Sequence, residues 1–148
     1  MQALYELISN VKVLDTNKAF QIFFTPEQHR ARIVALNTWG QLYDRGVDAH
    51  GIPLGYYRPY TLKRKNYPIP SHGQITLIET GDFYRSFQAT VHYGAVDIDA
   101  NTMKGTDDLM DIHGEILGLD EESKGELTEY MIENDFTEII KQQILVNI

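Results

Sequence analysis

The sequence predicts an α+β fold, with N-terminal helices packed on a small antiparallel β-sheet and acidic helices in the C-terminal part. Apolar residues recur at helical spacing before residue 45 and again after residue 101. Between these regions, residues 87–100 alternate apolar and polar side chains around Gly94, the pattern of a half-buried hairpin. The 148 residues, of which 43% are hydrophobic and 23% charged, suffice for one domain with a substantial core. We therefore treat residues 1–148 as a single domain.

The N-terminal part, residues 1–45, is predicted to be helical. It begins with a short amphipathic helix, whereas residues 18–24 fit either a strand or another helical turn. A longer helix is predicted over 26–45, with Thr25 as its N-cap and Gly46 as the residue that ends it. Its predicted buried face consists of Ile33, Leu36, Trp39, Gly40 and Tyr43.

Residues 46–74 are predicted to form an extended interaction loop, because eight glycines and prolines, Gly46, Gly51 and Gly55 among them, interrupt any long regular element. The loop carries an aromatic and basic cluster that suits either nucleic-acid bases and phosphates or a protein interface. Since the net charge is −8, we favour the protein interface. The predicted interaction residues are Tyr57, Arg58, Tyr60, Lys63, Arg64 and Lys65.

The core of the sheet is predicted in residues 75–100, of which the first five are interpreted as a strand. Thr80 is expected to cap a short helical turn that starts at Gly81, where the absence of Cβ allows a sharp bend. Phe83 and Phe87 are four residues apart and are expected to pack on one side of the turn.

The hairpin that follows is predicted to turn at Gly94-Ala95, a two-residue loop with glycine first. The C-terminal part, residues 101–148, is predicted to be an acidic helical tail. A short helix is expected over 106–113, with Thr106 as its cap. Asp120 is expected to cap a longer helix.

Charge is unevenly distributed along the chain. Residues 97–138 hold fourteen acidic side chains against Lys104 and Lys124, whereas residues 1–96 hold ten Lys and Arg against seven acids. This distribution suits either head-to-tail stacking of copies or a solvated acidic helix surface. The acidity argues against general nucleic-acid binding, which requires a cationic surface.

No pattern of a catalytic, metal or cofactor site is found, so we predict a protein that is not an enzyme and has no cofactor. Cysteine is absent, the five histidines lack paired metal spacing, and HExxH, GxSxG, P-loop and GxGxxG patterns are missing. Neither a membrane span nor a secretory signal is expected. A small hydrolase that uses Asp44, Asp48 and His50 is the hypothesis that we rank last of three.

Three stretches of the chain resemble one protein family. They are QLYDRGVDAHGIPLG (41–55), YRPYTLKRK (57–65) and ITLIETGDFYRSF (75–87). The family is that of the virion-morphogenesis and tail-completion proteins, the head–tail connector or neck proteins of tailed phages. There, a loop of the form G-x-D-x-x-G-x-P-L precedes a strand ending in L-x-x-T-G-x-[LF]-x-x-S-[FI]. The last positions are filled here by Leu77, Thr80, Gly81, Phe83, Ser86 and Phe87.

The resemblance implies a structural virion component, assembled in the host cytoplasm, that joins the head to the tail. It implies a cyclic ring of copies of this chain, contacts with other neck, portal or tail proteins, and non-specific proximity to DNA passing through the lumen. The basic loop would face an acidic neighbour or the DNA, and the acidic helices a basic partner. The second hypothesis is a cytosolic adaptor or inhibitor whose acidic helices mimic nucleic acid and bind a basic nucleic-acid-binding protein.

Overall fold

The computed structural model describes residues 1–12, 14–65, 70 and 72–145, and its fold is α+β, as predicted. The helices of this part are α1 (Gln2–Lys12), α2 (Thr16–Phe23), α3 (Glu27–Ala35), a π-helix (Leu36–Arg45), α4 (Pro59–Arg64), α5 (Asp82–Arg85), α6 (Leu109–His113), α7 (Glu121–Glu133) and α8 (Phe136–Leu145). Two antiparallel hairpins are formed by the strands β1 (Gln88–His92) with β2 (Ala95–Asp99) and β3 (Met103–Lys104) with β4 (Asp107–Asp108).

The β1–β2 hairpin confirms the predicted alternation and corrects the predicted turn. His92 lies opposite Ala95, so the two-residue turn is Tyr93-Gly94 and not Gly94-Ala95. Gly94 occupies the second turn position at φ +75°, a conformation that glycine adopts without steric cost. The half-buried side chains of the hairpin, which pack against the core, are Ala89, Val91, Val96 and Ile98.

Residues 75–79 do not form the predicted strand. An isolated bridge joins Tyr56 to Gln74, but the chain leaves the extended path at Leu77, whose φ is +60°. A branched side chain is strained in this left-handed region, which indicates that surrounding contacts hold the residue there. The predicted sheet core is therefore restricted to the β1–β2 hairpin.

Within the described residues, the core consists of two clusters of buried side chains. The predicted packing of N-terminal helices on the sheet is found in the first. That cluster joins α2, α3 and α7 beneath the inner face of β1–β2 through Phe23, Phe24, Ile33, Leu36, Leu127 and Met131. The second lies around the turn that precedes the hairpin and comprises Leu42, Ile78, Tyr84, Phe87, Leu109 and Ile116.

The π-helix changes which residues of the predicted long helix are buried. Ile33 and Leu36 are buried as expected, but Trp39 is 48% exposed and Leu42 is fully buried. A π-helix is wider than an α-helix because its hydrogen bonds join residues five apart, and the α-helical period therefore no longer gives the buried face. Gly46 ends the helix at φ +62°, as predicted.

The other predicted helix caps are partly confirmed. Asp120 caps α7. The hydroxyl of Thr25, however, donates to the carbonyl oxygen of Gln21 and does not cap α3. The N-cap of α6 is Asp108 and not the predicted Thr106, because the residues before α6 form the β3–β4 hairpin and not a helical turn.

Two buried amide side chains of the π-helix hold the chain segment that leads into α7. Asn37 donates to the carbonyl oxygen of Ile116 at 3.1 Å and accepts from the backbone N–H of Gly118 at 2.8 Å. Gln41, one turn later, donates to the carbonyl oxygen of Gly118 at 2.8 Å and accepts from the N–H of Asp120 at 2.9 Å. These side chains supply the partners that a neighbouring strand would otherwise give to buried backbone groups.

Arg45 extends this row of contacts with a charged pair. Its guanidinium lies 2.9 Å from the Asp120 carboxylate and 2.7 Å from that of Glu122. Burial acts to raise the pKa of Asp120, but the N–H of Ser123 and the Arg45 guanidinium outweigh burial and lower the pKa. Because the folded state has the lower pKa, this contribution to stability is present above the ordinary aspartate pKa of about 3.9 and is lost as the pH falls through the folded value.

The Asp120→Asn variant is expected to lower the free energy of unfolding by about 1–2 kcal/mol at pH 7. Asparagine also caps helices, so the substitution isolates the charged contact with Arg45. The difference from the wild type should shrink as the pH falls below about 4. Urea unfolding of both proteins between pH 7 and pH 3 tests this, and a difference independent of pH would contradict it.

Candidate interaction surface

A basic and aromatic segment, residues 56–65, includes α4 and is here called the arm. Tyr56 and Tyr60 are 72% and 69% exposed. The guanidinium of Arg64 lies 5.3 Å from the centre of the Tyr60 ring and donates to its hydroxyl at 2.7 Å. The exposed cations of the arm are Arg58, Lys63 and Arg64. Part of the predicted extended loop is thus helical, and residues 66–69 and 71 of that loop, among them the aromatic Tyr67, lie outside the described residues.

Two of the predicted interaction residues, Tyr57 and Lys65, anchor the arm to the domain. The hydroxyl of Tyr57 accepts hydrogen bonds from the backbone N–H groups of Thr76 at 3.1 Å and Leu77 at 3.2 Å. The ammonium of Lys65 lies 4.2 Å from the centre of the Tyr57 ring and donates to the carbonyl oxygen of Ile78 at 2.6 Å. Both side chains are half-buried. Their role is therefore to hold the exposed residues between them in place.

The anchored backbone, residues 76–78, lies within residues 75–79, the stretch predicted to be a strand. Its polar groups are bound by side chains, and Tyr84 completes the set by donating its hydroxyl to the carbonyl oxygen of Thr76. Burial raises the pKa of Tyr84, so its hydroxyl remains a donor. Burial acts to raise the pKa of Tyr57 as well, but the contacts with Lys65 and Thr76 lower it.

A cleft of 490 Å³ lies between the arm and the turn at residues 80–83. It brings together residues that the sequence analysis selected for two different reasons. Predicted interaction residues and predicted motif residues share its lining, namely Tyr57, Arg64, Lys65, Thr80, Gly81 and Phe83. Lys104 of β3 and His113 at the end of α6 also line the cleft. Sequence reasoning missed these two, since both lie distant along the chain.

The two carboxylates that line the cleft are paired with cations. Lys104 contacts Glu79, and this contact lowers the pKa of the Glu79 carboxyl. The hydroxyl of Thr80, followed by the guanidinium of Arg85, lowers the pKa of Asp82. These pairs neutralise much of the charge around the cleft, so the cationic character lies on the arm.

The predicted motif residues stabilise the turn beside the cleft. Phe83 and Phe87 pack with ring centres 5.0 Å apart, as expected from their spacing. The hydroxyl of Ser86 donates to the carbonyl oxygen of Phe83 and accepts from the N–H of Asn101. The N–H of Asp82 donates to the hydroxyl of Thr80. The turn is therefore a structural element whose contacts are made within the chain.

The glycines of the predicted loop lie in tight turns at the base of the arm. Gly46 is the most restricted, because a Cβ atom there would lie 2.7 Å from Cγ of Gln74 in addition to the strain of a positive φ. Gly51 and Gly55 also have positive φ, at +75° and +106°. They shape the loop and offer no functional group to a ligand.

The residues of the hydrolase hypothesis make other contacts. The buried carboxylate of Asp48 accepts from the N–H groups of His50 and Ile52, both at 2.9 Å, and so closes the turn. The imidazole of His50 lies 2.6 Å from the carboxylate of Glu115. Asp44 is exposed on the last turn of the π-helix. This geometry does not unite the three side chains.

A second charged surface is acidic. Twelve of the fourteen acidic side chains between residues 97 and 138 are exposed, and we call them the acidic surface. The two others are Asp108, which is half-buried and caps α6, and the buried Asp120. Asp97 and Asp99 belong to β2, whereas Glu121, Glu122, Glu126, Glu129 and Glu133 extend along α7.

Comparisons of the chain with protein-family models, curated proteins and solved structures found no match. Among the described residues, no group of three His, Asp or Glu side chains is placed to hold a metal ion. Within the same residues, no helix combines the length and apolarity needed to cross a lipid bilayer.

Proposed function

We propose that this chain is a structural component of a tailed-phage virion, a neck or tail-completion protein that forms a ring between head and tail. The arm supports this proposal most directly. It presents exposed arginine, lysine and tyrosine side chains, which suit a protein interface. Its two ends are fixed to the domain through Tyr57 and Lys65, so less conformational entropy is lost when it binds.

The acidic surface supplies a complementary partner for the arm. When a basic patch of one copy contacts an acidic patch of the next, the contact is heterologous, and a suitable rotation per subunit closes the assembly into a ring. In this arrangement the arm contacts an acidic neighbour, either another copy or an adjoining neck, portal or tail protein. Exposed cations that face the lumen would contact passing DNA through phosphates alone.

Reversing two charges of the arm is expected to block the joining of heads to tails. In a phage that encodes this chain, Lys63→Glu combined with Arg64→Glu should give filled heads and free tails in electron micrographs, and reduce infectious particles at least about tenfold, since like charges replace opposite ones across the interface. The matched control is Lys18→Glu with Lys141→Glu, which changes the net charge equally at exposed sites outside the arm.

Equal losses in both double variants would count against this proposal, because they would show that net charge and not the arm matters. Quantitative mass spectrometry of purified particles should give a low, ring-like copy number relative to the major capsid protein. Absence of the chain from the particles would overturn the structural role.

A second candidate function is favoured by the exposure of the acidic surface. An adaptor or inhibitor of a basic nucleic-acid-binding protein would use these carboxylates in place of phosphates. In that case, Glu121→Gln, Glu126→Gln and Glu129→Gln together should weaken a saturable, salt-sensitive complex with such a protein. The arm variant Lys63→Glu with Arg64→Glu should leave the complex intact, and DNA should compete for it.

A further inference from the structure

A groove of 930 Å³ runs between β2 and α7, two elements that also carry residues of the acidic surface. One wall is formed by β2 and the other by α7 together with residues 117–119. Its apolar lining comprises Phe20, Ile33, Val96, Ile98, Leu119 and Leu127. A β-strand of five residues extends about 17 Å, so β2 offers a wall long enough for a short extended peptide.

The edge of β2 that faces away from β1 has unpaired backbone groups. In a hairpin with a two-residue turn, the pair next to the turn, His92 with Ala95, exchanges hydrogen bonds, and every second pair does so thereafter. The N–H and C=O groups of Val96 and Ile98 therefore point away from β1. None of the described residues binds these four groups. The other strand of the hairpin, β1, is packed by α3.

The side chains of β2 give this edge a defined chemical preference. Val96 and Ile98 are half-buried and pack on the apolar core, whereas the alternate residues Asp97 and Asp99 are exposed and also line the groove. Opposite charges directly across two paired strands attract each other, and like charges repel. A strand added at this edge would therefore place apolar side chains over the groove and cationic side chains beside the two carboxylates.

We propose that the β2 edge binds an extended segment of another protein by strand addition, and that this segment alternates apolar residues with Lys or Arg. The backbone groups of Val96 and Ile98 provide the hydrogen bonds, the apolar lining receives alternate side chains, and Asp97 with Asp99 selects the cations. Asp97 and Asp99 also belong to the acidic surface. Strand addition requires neither the arm nor a ring, however, so this inference is tested separately from the proposed virion role.

Titration of the full chain with a seven-residue peptide that alternates lysine and valine tests the proposal. Nuclear magnetic resonance should show binding, with hydrogen exchange slowed at the amides of Val96 and Ile98. The amides of Asp97 and Asp99 are already paired with β1 and should change little. A peptide in which glutamate replaces lysine, and the lysine peptide N-methylated at all of its backbone amides, should each bind at least about tenfold more weakly.

Variants of β2 separate the contribution of the backbone hydrogen bonds from that of the two carboxylates. Val96→Pro removes an outward N–H without breaking a bond to β1 and should abolish peptide binding, whereas Val96→Thr keeps the N–H and should retain binding within about twofold. Asp97→Lys with Asp99→Lys should reverse the preference between the lysine and glutamate peptides, which keeps the test informative if the proline variant fails to fold.

Three results would overturn the inference. The first is absence of binding at millimolar peptide. The second is equal affinity for the N-methylated peptide, which would indicate charge attraction alone. The third is concentration-dependent protection of Val96 and Ile98 in the protein by itself without peptide binding, which would assign this edge to a second copy of the chain.

Discussion

Replacing Gln41 with leucine is expected to lower the free energy of unfolding by about 2–5 kcal/mol. The Gln41 side chain is fully buried and satisfies the carbonyl oxygen of Gly118 and the N–H of Asp120. Leucine fills a similar volume but leaves both backbone groups without partners, and each such group costs about 1–3 kcal/mol. Urea unfolding monitored by circular dichroism at pH 7 measures the change.

The matched control for this variant is Gln142→Leu. Gln142 is an exposed glutamine on α8, so its replacement should change stability by no more than about 0.5 kcal/mol. If the two variants were destabilised equally, the loss would reflect the chemistry of replacing a glutamine and not the buried hydrogen bonds between the π-helix and residues 116–120.

Replacing Tyr57 with phenylalanine is expected to lower the free energy of unfolding by about 2–4 kcal/mol. The ring remains, but the N–H groups of Thr76 and Leu77 lose the hydroxyl that accepts from them. Thr76 is fully buried, so water does not readily replace that acceptor. Because Leu77 is held at φ +60° by these contacts, their loss should also free the backbone of residues 76–78 to change conformation.

Urea unfolding measures the loss of stability, and hydrogen exchange at Thr76 and Leu77 locates it. Both amides should exchange faster in Tyr57→Phe. The amides of α7 should accelerate only as far as the lower free energy of global unfolding requires. Tyr56→Phe is the control, since Tyr56 directly precedes Tyr57 in the arm and its side chain is 72% exposed. A Tyr57→Phe variant with unchanged exchange at Thr76 would contradict the anchoring role of the hydroxyl.

The sequence by itself determined the elements whose causes lie within a few residues. Gly46 ends the helix, Asp120 caps α7, and Phe83 packs on Phe87, because each effect depends on local backbone geometry or on side chains one helical turn apart. The alternating side chains of β1 and β2 likewise predicted a hairpin with one buried face. The exposed cations of the arm were recognised from composition and the density of turn residues.

Tertiary contacts alone decided the remaining features. Residues 75–79 have the composition of a strand, but their partners are the side chains of Tyr57, Lys65 and Tyr84, which lie distant in sequence or beyond a turn. The same contacts make Tyr57 and Lys65 anchors and not exposed binding residues.

The buried face of the π-helix depends on a segment far along the chain. Asn37 and Gln41 are buried because residues 116–120 pack on the π-helix and offer backbone groups to their amides. No periodic pattern encodes that arrangement, since its stability comes from matching hydrogen-bond partners about eighty positions apart in the sequence. Local patterns therefore predicted most of the helices and the β1–β2 hairpin, whereas long-range pairing of buried polar groups determined how residues 76–78 and 116–120 fit against the rest of the domain.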